Sequence, residues 1–184
     1  MTEFLHRGEK KKEFVKGIFN DIADRYDLLN HLLSLGVDVY WRKKFIRMIE
    51  IDPNNKVLDV ATGTGDLSIE ISKKYPETEI VGLDISSKML EKASEKIKKK
   101  NIMNYKLIEG DAEHLPFDDC VFDLVTIAYG LRNLGSPENG IKEFNRVLKK
   151  NGKLAILEFM EPKSRLLKFV FGIYFNFVLP KIGA

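Results

Sequence analysis

The stretch that most constrains this chain is Lys56-Val-Leu-Asp-Val-Ala-Thr-Gly-Thr-Gly-Asp66. Val57, Leu58, Val60 and Ala61 around Asp59 predict a short buried parallel strand. Gly63 and Gly65 interrupt it, and a helical run follows over 67–74. A strand, a glycine turn and a helix in that order make a ligand cradle. The glycines permit positive φ and close backbone approach, while the unpaired N–H groups of the helix start face the same spot. Ser68 stands where a dinucleotide fingerprint needs its third glycine. With the carboxylate of Asp59 at the strand end, the turn disfavours a pyrophosphate and suits a ligand with a cationic or amino group.

Further strands are predicted over 79–84, 105–109, 122–129 and 153–159, and helices over 87–100 and 138–149. This alternation predicts an α/β fold with a doubly wound, mostly parallel sheet. Before the glycine loop the pattern is helical. Val15, Ile18, Phe19, Ile22, Ala23 and Tyr26 recur at three and four; Leu28, Leu29, Leu32 and Leu33 follow; Val39, Trp41, Phe45, Ile46 and Ile49 make a third run. Residues 10–50 are therefore expected as a helical cover over the sheet edge or mouth, with the charged stretch 8–16 fraying or lying on the surface as the start of a helix. The whole chain, 1–184, is expected as a single domain: this cover, an α/β core over 56–160, and a basic aromatic helix over 163–184.

A chain of 184 residues with 44% hydrophobic content can bury one substantial core. Thirty basic against 27 acidic residues give a net charge of +3, too balanced for a nucleic-acid binder. Cys120 is the only cysteine, and His6, His31 and His114 lack ligand spacing, so no metal site is expected. The N-terminus lacks an apolar signal run and no segment has the length of a membrane span, which leads to an expected cytoplasmic location.

Ligands of open parallel sheets bind beyond the C-terminal strand ends, where this sequence places Asp59, Asp84 and Asp111. Asp84 lies 19 residues beyond Gly65, a position from which a carboxylate accepts both hydroxyls of a ribose. Asp111 with the next N–H, that of Ala112, suits the amino group and ring nitrogen of an adenine. Together with Thr62, Gly63 and Gly65, these residues resemble the glycine-rich site of class I methyltransferases, which bind S-adenosylmethionine and release S-adenosylhomocysteine.

A second resemblance is more specific. Tyr26-Asp-Leu-Leu-Asn30, Gly36 and Trp41-Arg42, Asp59 to Asp66, Gly110-Asp-Ala-Glu-His-Leu-Pro-Phe117, Tyr129-Gly-Leu-Arg-Asn133, Arg146-Val-Leu-Lys149, Leu157-Glu-Phe159 and Phe175-Asn-Phe-Val-Leu-Pro-Lys-Ile-Gly183 are similar to motifs of the ubiquinone/menaquinone biosynthesis C-methyltransferase family. The match runs from about Phe14 to Gly183. It implies adenosylmethionine contacts at Thr62, Asp84, Asp111 and Ala112. It also implies methyl transfer to a ring carbon of a reduced isoprenoid quinone precursor, demethylmenaquinol above all. In that chemistry Arg132 would stabilise the oxyanion of the acceptor, and Asn133 and Tyr26 would orient its hydroxyl or a relaying water.

Class I methyltransferases usually add two further strands, so the C-terminal strands are expected to be missing here. Residues 163–184 carry Lys163, Arg165, Lys168 and Lys181, no acidic residue and five aromatic ones. This composition suggests weak, reversible peripheral attachment at the inner face of a membrane. Two other readings stay open: a methyltransferase for another apolar acceptor such as a sterol or fatty acyl chain, and a truncated, inactive adenosylmethionine-binding scaffold.

Overall fold

The computed structural model describes residues 8–34 and 36–159. Three helices, α1 (Gly8–Ile22), α2 (Tyr26–Ser34) and α3 (Val37–Met48), precede an alternating run: β1 (Lys56–Val60), α4 (Asp66–Lys74), β2 (Glu79–Asp84), α5 (Ser87–Lys99), β3 (Tyr105–Glu109), β4 (Phe122–Ala128), a 3₁₀ turn (Leu131–Asn133), α6 (Pro137–Val147) and β5 (Leu148–Leu157). The five strands pair in the order β3-β2-β1-β4-β5, every pair parallel. Strand order reverses at β1, so the crevice beyond the ends of β1 and β4 is the topological switch point. The expected doubly wound sheet is thus observed, and the predicted tail over 163–184 lies outside the described residues.

Side-chain alternation along β1 divides the core. Leu58 and Val60 pack with Phe144 and Val147 of α6 on one face, whereas Val57 packs with Ile71 of α4 and Ala93 of α5 on the other. Helix starts follow ordinary capping chemistry: Ser86 accepts the Met89 N–H, and Ser136 accepts the Asn139 N–H just ahead of Pro137. β5 begins earlier than predicted, at Leu148, because a register shift between Phe122 and Leu124 lets the Lys149–Gly152 segment join the strand.

The N-terminal stretch departs most from expectation. The charged residues from Gly8 onward do form the start of a helix and lie mostly on the surface, but Lys12 is buried. They stay ordered because α1 crosses the sheet mouth, where Lys11 donates to the carbonyls of Arg132 and Leu134 and Lys12 meets acidic groups. α3 packs against α4, closing the apolar cluster with Ile46 and Ile49. No described helix is long and apolar enough to cross a membrane.

Candidate active site

A cavity with about 680 Å³ of space between its atoms, part of it open to solvent, lies at the switch point under α1 and α2. Its walls come from the ends of β1, β2, β3 and β4 and from the cover: Gly63, Asp84, Ile85, Asp111, Ala112, Tyr129, Asn133, Lys12, Phe19 and Tyr26 all line it.

The floor is built from β1 outward. Alternation puts Asp59 on the same face as Val57, beneath the glycine loop rather than in the cavity. Its carboxylate is 1% exposed and accepts from Thr62 at 2.7 Å, Ser68 at 2.6 Å and Thr126 at 2.8 Å. Thr62 Oγ1 also lies 2.9 Å from the Tyr105 hydroxyl, which reaches it across Gly82; a Cβ on Gly82 would stand 2.6 Å from that hydroxyl. Gly65, at φ +80, packs against Ala93. Asp59, Thr62 and Gly65, predicted to contact the cofactor, therefore shape the loop from below, and their side-chain positions do not line the cavity. Strand period two is the physical reason for Asp59, and Ser68, buried in the first turn of α4, is a donor to it beneath the loop rather than a failed glycine.

Asp84 does face the cavity. One oxygen accepts the Gly63 N–H at 2.8 Å and the other the Ser86 N–H at 2.9 Å. Burial raises its pKa above the ordinary 3.8, against the pull of those two N–H groups and that of Ile85. Gly63, at φ +57, has open space where a Cβ would sit, leaving its backbone approachable. A buried carboxylate held by the Gly63 and Ser86 N–H groups, with the Ile85 N–H also acting on it, has acceptor capacity left for a ribose hydroxyl. The apolar walls Ile85, Met89 and Leu134 suit a flat base beside it. The residues present thus fit adenosylmethionine.

Asp111 and Ala112 also line the cavity, but Asp111 is already engaged. Its Oδ2 lies 2.7 Å from Lys12 Nζ, and its Oδ1 accepts the Glu113 N–H at 2.8 Å. Burial alone would raise the pKa of Asp111, yet Lys12, the Glu113 N–H and His114 hold it below the usual carboxylate range. Lys12 lies 2.7 Å from Glu9 and 3.4 Å from Glu113 as well; burial opposes its charge, and these acidic partners override that to hold its pKa above the ordinary lysine value. Sequence reasoning missed Lys12, since a lysine in a charged helix start carries no periodic signal. It also missed Ile85, which its place directly after the strand-end Asp84 would have identified.

Of the three residues expected in the chemistry, Tyr26 and Asn133 line the cavity and Arg132 does not. Tyr26 meets Phe19 edge to face at 5.9 Å, and burial raises its pKa although Asn30 hydrogen-bonds it. Asn133 Nδ2 lies 3.4 Å from the Tyr129 carbonyl. The Arg132 guanidinium is exposed, pairs with Glu158 and lies 5.6 Å from the Phe159 ring centre. Further ion pairs tie the cover to the loop: Asp27 accepts from Thr64 at 2.6 Å, Lys96 bridges Asp27 and Asp66, and Arg42 joins Asp66 at 3.1 Å to Asp38 at 2.7 Å. The Tyr26-Asp27 and Trp41-Arg42 motifs thus supply part of the closure of the site. Among the described residues no group of three or more His, Cys, Asp or Glu side chains is placed to hold a metal ion.

This sheet order and glycine turn are those of the class I S-adenosylmethionine-dependent methyltransferase fold. An S-adenosylmethionine-dependent methyltransferase from Aquifex aeolicus superposes with a TM-score of 0.61 at 25% identity, over 67% of each chain. Residues 6–184 match the model of the ubiE/COQ5 methyltransferase family, and the chain belongs to that family. Demethylmenaquinone methyltransferase of Deinococcus radiodurans is 46% identical over 176 residues, 96% of this chain and 73% of that relative. Ubiquinone/menaquinone biosynthesis C-methyltransferase UbiE of Citrifermentans bemidjiense is 43% identical over 95% of this chain and 75% of its own.

Proposed function

We propose that this protein is a C-methyltransferase acting on a reduced isoprenoid quinone precursor, demethylmenaquinol being the favoured acceptor. The observation that carries the reading is the buried, cavity-facing Asp84 beside the open backbone of Gly63, in a chain of the ubiE/COQ5 family. Adenosylmethionine, when bound, supplies an electrophilic methyl group on a sulfonium. Asp84 would hold its ribose, and Asp111 with Ala112 its base. On the acceptor, loss of the phenolic proton makes the ring carbon nucleophilic. The new carbon–carbon bond forms as the carbon–sulfur bond breaks, its electron pair stays on sulfur, and the ring proton then leaves to solvent. The protein's task is alignment and charge stabilisation. Tyr26 and Asn133 would orient the acceptor hydroxyl. Arg132 would reach the oxyanion after leaving Glu158, so Arg132→Ala should lower kcat far more than it raises acceptor KM; an unchanged kcat removes it from the chemistry.

Isotopically labelled adenosylmethionine, incubated with reduced naphthoquinones, reduced benzoquinones, a sterol and a fatty acyl lipid, tests the main reading by the mass of each acceptor. Label in the naphthoquinol supports it; label only in the sterol or acyl lipid selects the other apolar acceptor, and none in any acceptor selects the inactive scaffold. A cytoplasmic protein lightly held at the inner membrane face is the placement this acceptor favours, given the basic aromatic sequence over 163–184. Co-sedimentation with anionic vesicles that high salt reverses is the expected result, and equal binding to neutral vesicles would refute it.

A further inference from the structure

Two strand ends at the switch point leave their ladders in the same unusual way. Ala61 follows β1 at φ +51 and Tyr129 follows β4 at φ +59, and Gly130 fits between them only because it has no side chain: a Cβ there would stand 2.6 Å from that of Ala61. For a tyrosine this left-handed conformation costs about 1 kcal/mol. The surroundings enforce it: the Tyr129 N–H donates to the Leu157 carbonyl at 2.7 Å, and the ring stacks on Phe159 at 4.5 Å.

The strain delivers a polar atom with nothing to bond. The Tyr129 hydroxyl is shielded from solvent and has no hydrogen-bond partner among the described residues, although the residue lines the cavity. Neighbouring tyrosines differ: Tyr105 is paired with Thr62, and Tyr26 has Asn30. Leaving a buried hydroxyl unpaired costs about 1–3 kcal/mol. Of the buried side-chain atoms without a hydrogen-bond partner among the described residues, Asp38 Oδ2, Thr78 Oγ1 and the Tyr129 hydroxyl, only the last belongs to a residue that lines the cavity. Asp84 and Gly63 account for the cofactor side of the cavity, whereas Tyr129 stands at the β4 side with Asn133.

We propose that the Tyr129 hydroxyl is the hydrogen-bond donor for the oxygen of an aromatic acceptor, a contact that fixes which ring carbon faces the methyl group. The assignment takes from the proposed function only that the acceptor is an oxygen-bearing aromatic. Burial raises the Tyr129 pKa, with Arg42 and Asp38 the first charged groups acting on it, so the hydroxyl keeps its proton and donates.

The test uses the protein saturated with S-adenosylhomocysteine and two probes that differ by one oxygen, 1-naphthol and naphthalene, with affinities read by fluorescence. Wild type should prefer naphthol, and Tyr129→Phe should reduce that preference by about three- to tenfold while leaving naphthalene affinity and adenosylhomocysteine affinity unchanged. Equal preference in both proteins, an equal loss for both probes, or no binding of naphthol to wild type would each overturn the assignment. Loss of the preference in the variant, in a protein that methylates no quinol, would reject the proposed acceptor and leave Tyr129 in place; the converse result would reject Tyr129 alone.

Discussion

The floor and the cover of the cavity hold their carboxylates by opposite means. Beneath the glycine loop, Asp59 and Asp84 are bound by neutral hydroxyl and N–H donors, and burial raises the pKa of both. Above it, Asp38 and Asp111 face cations. Burial pushes their pKa values up too, but Ser34 with Arg42 and Lys12 with its neighbours bring them below the ordinary value. The floor is built from the β1–turn–α4 unit and the adjoining strands β2 and β4, so short donors suffice and no charge must be neutralised from afar. The cover docks from separate helices, and long cationic side chains reach across. A hydrogen-bonded floor is little affected by salt, whereas an ion-paired cover is weakened by it.

The largest effect should come from taking out the centre of the floor. Asp59→Ala strands the Thr62, Ser68 and Thr126 hydroxyls in a site sealed from water, and a loss of about 3 kcal/mol in stability is expected by chemical denaturation. Asp59→Asn should be milder, because Thr126 or Ser68 can turn its hydroxyl to accept from the new amide. The pH sign agrees: with its folded pKa raised, Asp59 contributes stability below the ordinary carboxylate value and loses it as pH rises through the folded one. Equal damage from Ala and Asn would mean that packing, not hydroxyl satisfaction, holds the loop.

A smaller effect, read in binding, is expected at Asp84. Asp84→Ala should weaken adenosylhomocysteine binding by about 1.5–3 kcal/mol, measured by calorimetry. Ribose hydroxyls favour the ionised carboxylate, so affinity should rise as pH increases from 3.8 through the raised pKa, with a proton released on binding. Asp84→Asn should lose that pH dependence. Wild-type affinity in the Ala variant would place the ribose elsewhere.

The same contrast explains what could be read in the sequence. Floor elements are local: the 56–66 stretch, its strand alternation and the strand-end Asp84 are neighbours in the chain, so short-range pattern carries them. Even there, alternation placed Asp59 on the buried face, a consequence available in the sequence but outweighed by its nearness to the glycines. Several ion pairs join residues far apart in the chain, Lys12 and Asp111 by 99 positions and Arg132 and Glu158 by 26. Nothing near Lys12 indicates Asp111, and nothing near Arg132 indicates Glu158. The unpaired hydroxyl of Tyr129 depends on a left-handed turn that a tyrosine does not announce.

The smallest effect should appear at the cover, and it tests the comparison directly. With folded pKa values lowered, Asp111 and Asp38 contribute stability that is present above their ordinary 3.8 and is lost as pH falls through the lower folded values. Asp59 and Asp84, already favouring the protonated form, lose nothing over that window. Acidification below 3.8 should therefore raise hydrogen exchange in α1 and α3 before it raises exchange in β1 and β2. These pairs are mostly buried, but protonation removes a charge and leaves the packing of the helices in place, so the change is a loosening and not unfolding. Lys12→Met separates the two helices: at neutral pH it should loosen α1, where Asp111 and Glu113 lose their cation, and leave α3 protected because Arg42 still holds Asp38 and Asp66. Exchange that rises first in β1, or equally in α1 and α3 of the variant, would show that floor and cover open as one unit.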